Sequence, residues 1–323
     1  MTKNGNGHPL LKVLLVEDSR DDELLIVREL SRSYKVVIKR VQTEAALVLE
    51  LERRTWDVII CDYVMPNLTA LRALEVLRAS VQEIPFIVLS GAIDEEIAVE
   101  IMRAGADDFI TKAKLPRLSL AIKRLLKEAA RKLHDKLYIE EAYERTLEAW
   151  GIALELRDHF TFGHTVRVTD MALRLARKLG ITGMALKDLH RGALVHDVGK
   201  IGIPDLILLK PGELDPDERR IMRLHPQLAY EMLSPITFLR DSLDIPYCHH
   251  EKWDGTGYPR GLKMLDIPFH ARIFAVCDVY DALTSERAYR KAMPVGEAIG
   301  YIEDQREKYF DPMIVDRFLE MIP

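Results

Sequence analysis

The sequence predicts an α/β half, built on a doubly wound five-stranded parallel sheet, joined by one long helix to an all-α half. The chain has 323 residues, about twice the length of an ordinary domain. Short β-branched runs alternate with amphipathic stretches from Leu11 to about Arg124 and then cease, and from about Leu147 the apolar spacing is helical almost throughout. The first nine residues are polar and Gly-rich, so 1–10 reads as a flexible N-terminus. Five strands are expected around the apolar runs at 13–16, 36–38, 58–61, 86–89 and 109–111. These runs lack period-two alternation, which suits strands buried on both faces, and the helical stretches between them supply right-handed crossovers. After Pro116 comes an apolar stripe of Leu118, Ile122, Leu125, Leu126, Ala129, Leu133 and Leu137, with no Gly or Pro until Gly151. This predicts a single helix to about Trp150, whose stripe packs either on its own domains or on a second copy of the chain. The boundaries drawn are 11–126 for the α/β domain, 127–148 for the helical linker and 149–323 for the all-α domain.

Composition narrows the function classes. Hydrophobic residues make up 48% and charged residues 30%, excluding a largely disordered chain and a multi-span membrane protein. With 46 Lys and Arg against 51 Asp and Glu, the net charge of -5 gives no reason to expect nucleic acid or an anionic membrane as partner. Cys61, Cys248 and Cys277 are widely spaced and form no C-x-x-C pair, so neither a disulfide framework nor a zinc knuckle is expected. No apolar run approaches the roughly 18 residues of a membrane span. A cytoplasmic protein without an export or anchor signal is the expectation.

In the first half, Glu17 and Asp18 follow the first expected strand, Asp62 ends the third, Ser90 follows the fourth and Lys112 the fifth. In a parallel sheet these strand ends share one edge, where ligands bind. Carboxylates gathered there repel unless a hard cation neutralises them, and oxygen ligands with open water positions suit Mg2+. A cation plus Lys112 favours phosphoryl transfer to one carboxylate. The motifs Leu15-Val-Glu-Asp18, Cys61-Asp-Tyr-Val-Met-Pro66, Val88-Leu-Ser-Gly91 and Gly105-Ala-Asp-Asp-Phe-Ile-Thr-Lys112 resemble those of response-regulator receiver domains, which have a flavodoxin-like fold. The resemblance implies Asp62 as phosphoacceptor, Glu17, Asp18 and the Val64 carbonyl at the Mg2+ site, and Ser90 and Lys112 on the phosphoryl group. Phe109 falls where receivers carry a rotating aromatic switch; a core Phe is the other reading. Ala70 and Ala113 replace a Gly and a Pro common in receivers, which bears on loop geometry.

In the second half, His164, His196-Asp197, His225, His249-His250 and Asp278 form a metal-like pattern. Adjacent helical residues point about 100° apart, so neighbouring pairs serve two nearby ions better than one. Asp197 is the natural bridge, having two oxygens. Imidazole and carboxylate without thiolate suit Fe, Mn or Zn, and affinity order alone does not choose among them.

The stretches Arg157-Asp-His-Phe-Thr-Phe-Gly-His-Thr-Val-Arg-Val168, His196-Asp-Val-Gly-Lys-Ile-Gly-Ile-Pro204, His225-Pro, His249-His-Glu-Lys-Trp-Asp-Gly-Thr-Gly-Tyr-Pro259 and Asp278-Val-Tyr-Asp-Ala-Leu-Thr-Ser285 are similar to the HD-GYP branch of the HD phosphohydrolases. The resemblance implies hydrolysis of a cyclic dinucleotide, usually cyclic di-GMP, to linear pGpG and sometimes on to GMP. Cyclic GMP-AMP is the alternative substrate. It also implies His164, His196, Asp197, His225, His249, His250 and Asp278 as ligands of two divalent transition metals, Fe or Mn with Zn and Ni as alternatives, and Lys200 facing the scissile phosphate. Lys200 suits a fixed charge better than a general acid. Arg287 and Arg290 present guanidinium forks to phosphate oxygens, and Gly257 and Tyr258 lie on a tight turn after Gly255 where a ligand can approach closely. Phe160 stands where some members carry a carboxylate for a third metal, so two metals are expected; His159 and Glu155 are neighbours of the site.

The expected partners are a cyclic dinucleotide substrate, a sensor histidine kinase as phosphodonor to Asp62, and a second copy of the chain through the linker helix. The competing class is a signalling adaptor that binds a cyclic dinucleotide or a partner protein without turnover.

Overall fold

The structure, a computed structural model, describes residues 8–80, 82–91, 95–158, 163–286 and 291–322. It separates into two compact units, Met1–Tyr138 and Ile139–Pro323, so the division falls inside the expected linker.

The first unit holds strands β1 (Leu10–Val16), β2 (Lys35–Val41), β3 (Val58–Asp62), β4 (Phe86–Ser90) and β5 (Asp108–Thr111), all parallel, in the order β2-β1-β3-β4-β5. Around them run α1 (Arg20–Leu30), α2 (Glu44–Arg53), α3 (Ala70–Ala79), α4 (Glu95–Arg103) and the start of α5 (Leu118–Asp158). Strand alternation divides the core in two. Leu14, Val16, Ile59, Cys61, Phe86 and Val88 pack with residues of α2, α3 and α4. Val13, Leu15, Val58, Ile60, Ile87 and Leu89 pack with Ile26 and Leu30 of α1 and with Leu118, Ile122 and Leu125 of α5.

β3 and β4 are buried throughout, but β2 departs from the expectation of two covered faces: Lys35, Val37 and Lys39 are exposed. As an edge strand it pairs only with β1, and its exposed lysines suit an open edge. The three short capping residues Ser19, Thr43 and Thr69 each accept an amide from the first turn of α1, α2 and α3. Ala70 is therefore simply the buried first residue of a capped helix, and needs no glycine-like conformation. Ala113 enters a 3-10 turn, Lys112–Arg117, that leads into α5.

α5 continues past Gly151, where the sequence suggested it would stop. A Cβ at Gly151 would lie 2.9 Å from the Leu194 carbonyl, so this glycine permits close packing and does not terminate the helix. The second unit adds α6 (His164–Lys178), α7 (Gly183–Leu194), α8 (Asp205–Leu208), α9 (Pro216–Met222), α10 (His225–Leu233), α11 (Asp244–Cys248), α12 (Phe269–Thr284), α13 (Val295–Asp304) and α14 (Pro312–Leu319). Its main core gathers Val168 and Leu175 of α6, Leu189 and Ala193 of α7, Phe274 and Cys277 of α12, Ile302 of α13 and Phe318 of α14. Leu147 of α5 joins Leu194, Val198, Ala229 and Leu233 in a second cluster. No helix among the described residues is long and apolar enough to cross a membrane. All three cysteines are buried and free.

Candidate functional site

The expected ligand residues come from five places in the second unit. His164 opens α6; His196 and Asp197 follow α7; His225 opens α10; His249 and His250 follow α11; Asp278 sits within α12. Their ligand atoms form two groups, Asp197 with His225, His249 and His250, and His164 with His196 and Asp278, each set lying within 4.8 Å of one another. Asp197 faces both. Its Oδ1 is 3.4 Å from His225 Nε2 and 3.7 Å from His249 Nε2. Its Oδ2 is 3.2 Å from His196 Nε2 and 2.8 Å from Lys200 Nζ.

The imidazole tautomers follow from their other nitrogens. Nδ1 of His196, His225 and His249 lies 2.9 Å from the carbonyls of Ala193, Met222 and Ile245. A carbonyl only accepts, so Nδ1 carries the proton and Nε2 a lone pair. His225 Nε2 and His249 Nε2 then face each other across 3.4 Å, and the buried His196 Nε2 has no hydrogen-bond partner. Lone pairs aimed at one another and at a carboxylate repel unless a cation lies among them. The donor set, imidazole and carboxylate without thiolate, fits divalent transition ions.

The field supports the same reading. Burial opposes ionisation of Asp197, but the Lys200 ammonium beside it outweighs burial and holds the carboxyl well below its usual range. Burial, reinforced by the neighbouring imidazoles, keeps His250 neutral far below its ordinary value, and burial takes His225 down to about 3 despite the attraction of Asp197. At His164 burial also works against the charged form, yet Asp278 and Asp281 win and raise it to about 9. A field that holds a proton this firmly also attracts a metal cation, which would displace it.

The Asp254–Pro259 turn is packed by necessity around one of these histidines. A Cβ at Gly257 would meet the Lys252 amide at 2.4 Å and the His250 carbonyl at 2.6 Å, so the glycine lets the turn close against His250. The Tyr258 ring lies 4.8 Å from that of His250 at 28°, and the Arg223 guanidinium lies over the Tyr258 ring, 5.1 Å from its centre. Arg287 and Arg290, with His159 and Phe160, lie outside the described residues.

Sequence reasoning missed two carboxylates that build this site, Glu251 and Asp281, and left Glu155 as a neighbour of it. Buried Glu251 accepts the amides of Arg260 at 2.7 Å and Leu262 at 2.9 Å, closing the turn. Buried Glu155 accepts the amides of Gly163 at 2.8 Å and Thr165 at 2.6 Å, capping α6. Asp281 accepts from His164 Nδ1 at 2.7 Å. Glu251 and Asp281 stood inside recognised motifs; position in those motifs was the available signal.

In the first unit, Glu17 and Asp62 are buried at the ends of β1 and β3, Ser90 is buried at the end of β4, and Lys112 follows β5. Lys112 Nζ lies 2.9 Å from Asp62 Oδ2, 3.4 Å from Glu17 Oε2 and 2.5 Å from Asp22 Oδ2. Burial works against the Lys112 ammonium, but Asp22, Asp62 and Glu17 raise it above its ordinary value; burial pushes the Glu17 carboxyl up. The carboxylates of Glu17, Asp22 and Asp62 lie within 4.8 Å of one another. Asp18 is exposed and does not join that group; its carbonyl accepts from Arg40 at 2.9 Å. Asp22, on the first turn of α1, was not anticipated. Val64 is exposed, and half-buried Phe109 packs on the core of the α2–α4 face.

Comparison with known proteins agrees with this division. The response regulator receiver domain family matches residues 13–123, and the HD domain family matches 152–314. A cyclic di-GMP phosphodiesterase of Thermotoga maritima is 34% identical over 96% of this chain and 90% of its own. The cyclic di-GMP phosphodiesterase response regulator RpfG of Xanthomonas campestris is 37% identical over 81% of this chain and 75% of its own. A 3'3'-cGAMP-specific phosphodiesterase of Vibrio cholerae is 37% identical over 54% of this chain and 38% of its own. Among solved structures, an HDG"Y"P protein from Bdellovibrio bacteriovorus aligns with a TM-score of 0.42 at 24% identity, covering 49% of this chain and 51% of that one. Fold and site thus define a receiver joined to an HD-type phosphohydrolase domain. The chain belongs to the HD-GYP response-regulator family.

Proposed function

We propose that the protein is a response regulator that hydrolyses a cyclic dinucleotide, cyclic di-GMP in the first instance, at a two-metal site governed by phosphorylation of Asp62. The observation that carries this is the convergence of the Nε2 lone pairs of His196, His225 and His249 on the two oxygens of Asp197. His164, His196 and Asp278 would hold one ion and His225, His249 and His250 the other, with Asp197 shared. Bound Fe or Mn would screen the phosphodiester charge and supply hydroxide near neutral pH.

The chain's own groups then orient and discriminate. Lys200, fixed against Asp197, offers a positive charge to a nonbridging phosphate oxygen as negative charge develops there. The Tyr258 ring and the tight turn at Gly257 form one wall for the sugar or base, and Arg287 and Arg290 would take the second phosphate. In the receiver, Asp62 would accept the phosphoryl group from a sensor kinase, with Glu17, Asp18 and the Val64 carbonyl around Mg2+ and with Ser90 and Lys112 on the phosphoryl oxygens. Phe109 would be the switch residue. Leu133 and Leu137, each more than half exposed, are the residues through which a second copy would pair.

The test is a paired one. Metals per chain are counted in anaerobically purified protein, and the same sample is assayed by chromatography against cyclic di-GMP and cyclic GMP-AMP. About two ions with linear dinucleotide product, and loss of product in Asp197→Ala, support the enzyme and rank its substrates. Metal-loaded protein that consumes neither substrate, with or without an acyl-phosphate donor, would reassign the domain to binding without turnover.

A further inference from the structure

The imidazoles of the site are not all held in the same way. Backbone carbonyls hold His196, His225 and His249, whereas His164 Nδ1 is held by the Asp281 carboxylate at 2.7 Å. Asp281 is 3% exposed and lies one helical turn beyond Asp278 on α12. Arg167, one turn beyond His164 on α6, grips it from the other side: Nε donates to Oδ1 at 2.7 Å and Nη2 to Oδ2 at 3.0 Å. Arg167 Nη2 also donates to Ser285 Oγ at 3.1 Å, just past the end of α12. A planar fork on a carboxylate fixes orientation as well as distance. The two helices that supply His164 and Asp278 are therefore tied together directly behind those two groups.

A carboxylate behind an imidazole differs from a carbonyl in charge. It fixes the tautomer, as a carbonyl does, and also makes the opposite nitrogen a stronger donor to a cation. Asp281 does this from the far side of the ring. Buried alone it would be costly, and Arg167 removes that cost without competing for the imidazole proton.

We propose that Asp281, clamped by Arg167, is a positioning residue that sets how firmly the His164–His196–Asp278 position holds its ion, with little influence on the position formed by His225, His249 and His250. The proposal rests on the two-metal reading of the site. Removing such a partner typically weakens metal binding by about 10- to 100-fold. Asp281→Asn keeps the shape, removes the charge and leaves Arg167 with a weaker acceptor. Arg167→Gln keeps the charge and loosens its aim, so its effect has the same direction and is smaller.

The experiment loads wild-type protein and both variants with Mn2+, equilibrates them against graded chelator, and measures ions per chain together with the thermal melt in excess chelator. The expected result is that wild type retains about two ions, while Asp281→Asn releases one of them at about 10- to 100-fold lower chelator strength and the other as wild type does. Release of both ions from Asp281→Asn at the wild-type chelator concentration overturns the proposal. So does release of both together with a lowered melt in chelator, which is what a purely structural role would give. Should Asp281→Asn not fold, Arg167→Gln decides, and an unshifted release curve there overturns the proposal. A wild-type chain that never holds a second ion removes the two-metal reading itself, an outcome visible before any variant is compared.

Discussion

His225 and His249 point unprotonated nitrogens at each other across 3.4 Å, with the Asp197 carboxylate beside them. Such an arrangement is costly to fold without a cation and favourable with one, so metal and stability are linked. At an ion concentration 100-fold above its dissociation constant, binding adds about 2.7 kcal/mol per site. The thermal midpoint should fall on chelation, and His225→Leu should reverse the comparison. Without metal it removes one of two opposed lone pairs and should melt no lower than wild type, whereas with metal it should melt lower. A variant that melts lower under both conditions would mean that His225 serves packing alone. Lys200→Met tests chemistry at the same scale. If the ammonium acts on the substrate phosphate, metal content stays unchanged and kcat falls by about 100- to 1,000-fold. Wild-type turnover in that variant would remove Lys200 from the mechanism. Histidines were legible in the sequence because the chain holds only ten and their adjacency to acids is distinctive. Asp281, Glu251 and Asp22 were not singled out, because charged residues are 30% of the chain and a carboxylate paired to a buried amide or cation looks, in sequence, like any surface acid.

At the scale of elements, the glycines separate into those that space requires and those that it does not. A Cβ at Gly199 would sit 1.9 Å from the His225 carbonyl and 2.6 Å from the Ala229 amide, where the 3-10 turn Val198–Gly202 lies against the start of α10. That close approach brings Lys200 and His225 to one site. Gly300, within α13, has nothing within 4 Å of the corresponding position. The same substitution should therefore have opposite signs: Gly199→Ala destabilises by about 3 kcal/mol, while Gly300→Ala stabilises by up to about 1 kcal/mol. Urea denaturation measures both, and a neutral Gly199→Ala would show that the turn has room to move away. The strands could be read from their apolar runs because β3 and β4 are covered on both faces. The exposure of β2 could not, since Val36-Val-Ile38 is apolar whether its strand is central or at an edge. The end of α5 was misjudged for a related reason. Glycine in a helix marks either a stop or a close approach, and only the position of Leu194 distinguishes them.

At the scale of the whole molecule, the two domain types and the helix between them were legible, because each follows from patterns tens of residues long. α5 contributes Leu118, Ile122 and Leu125 to the core of the first unit and Leu147 to a cluster of the second. Between these anchors, residues 131–139 are exposed on every face of the helix. Among the described residues of one chain, no core cluster includes that stretch, so residues can be inserted there without disturbing either core. If phosphorylation at Asp62 reaches the metal site as a rotation or shift of this helix, its effect depends on the helical phase of the insert. One added residue turns the downstream helix by about 100°, whereas seven residues return it to within about 20° of its starting phase. Inserting one alanine after Lys136 should change the ratio of turnover with and without an acyl-phosphate donor, and inserting seven should restore it. Asp62→Asn should give the same turnover with and without the donor in every background. If both insertions retain the wild-type ratio, the signal does not travel by helical phase. If neither does, length rather than rotation is what the helix transmits.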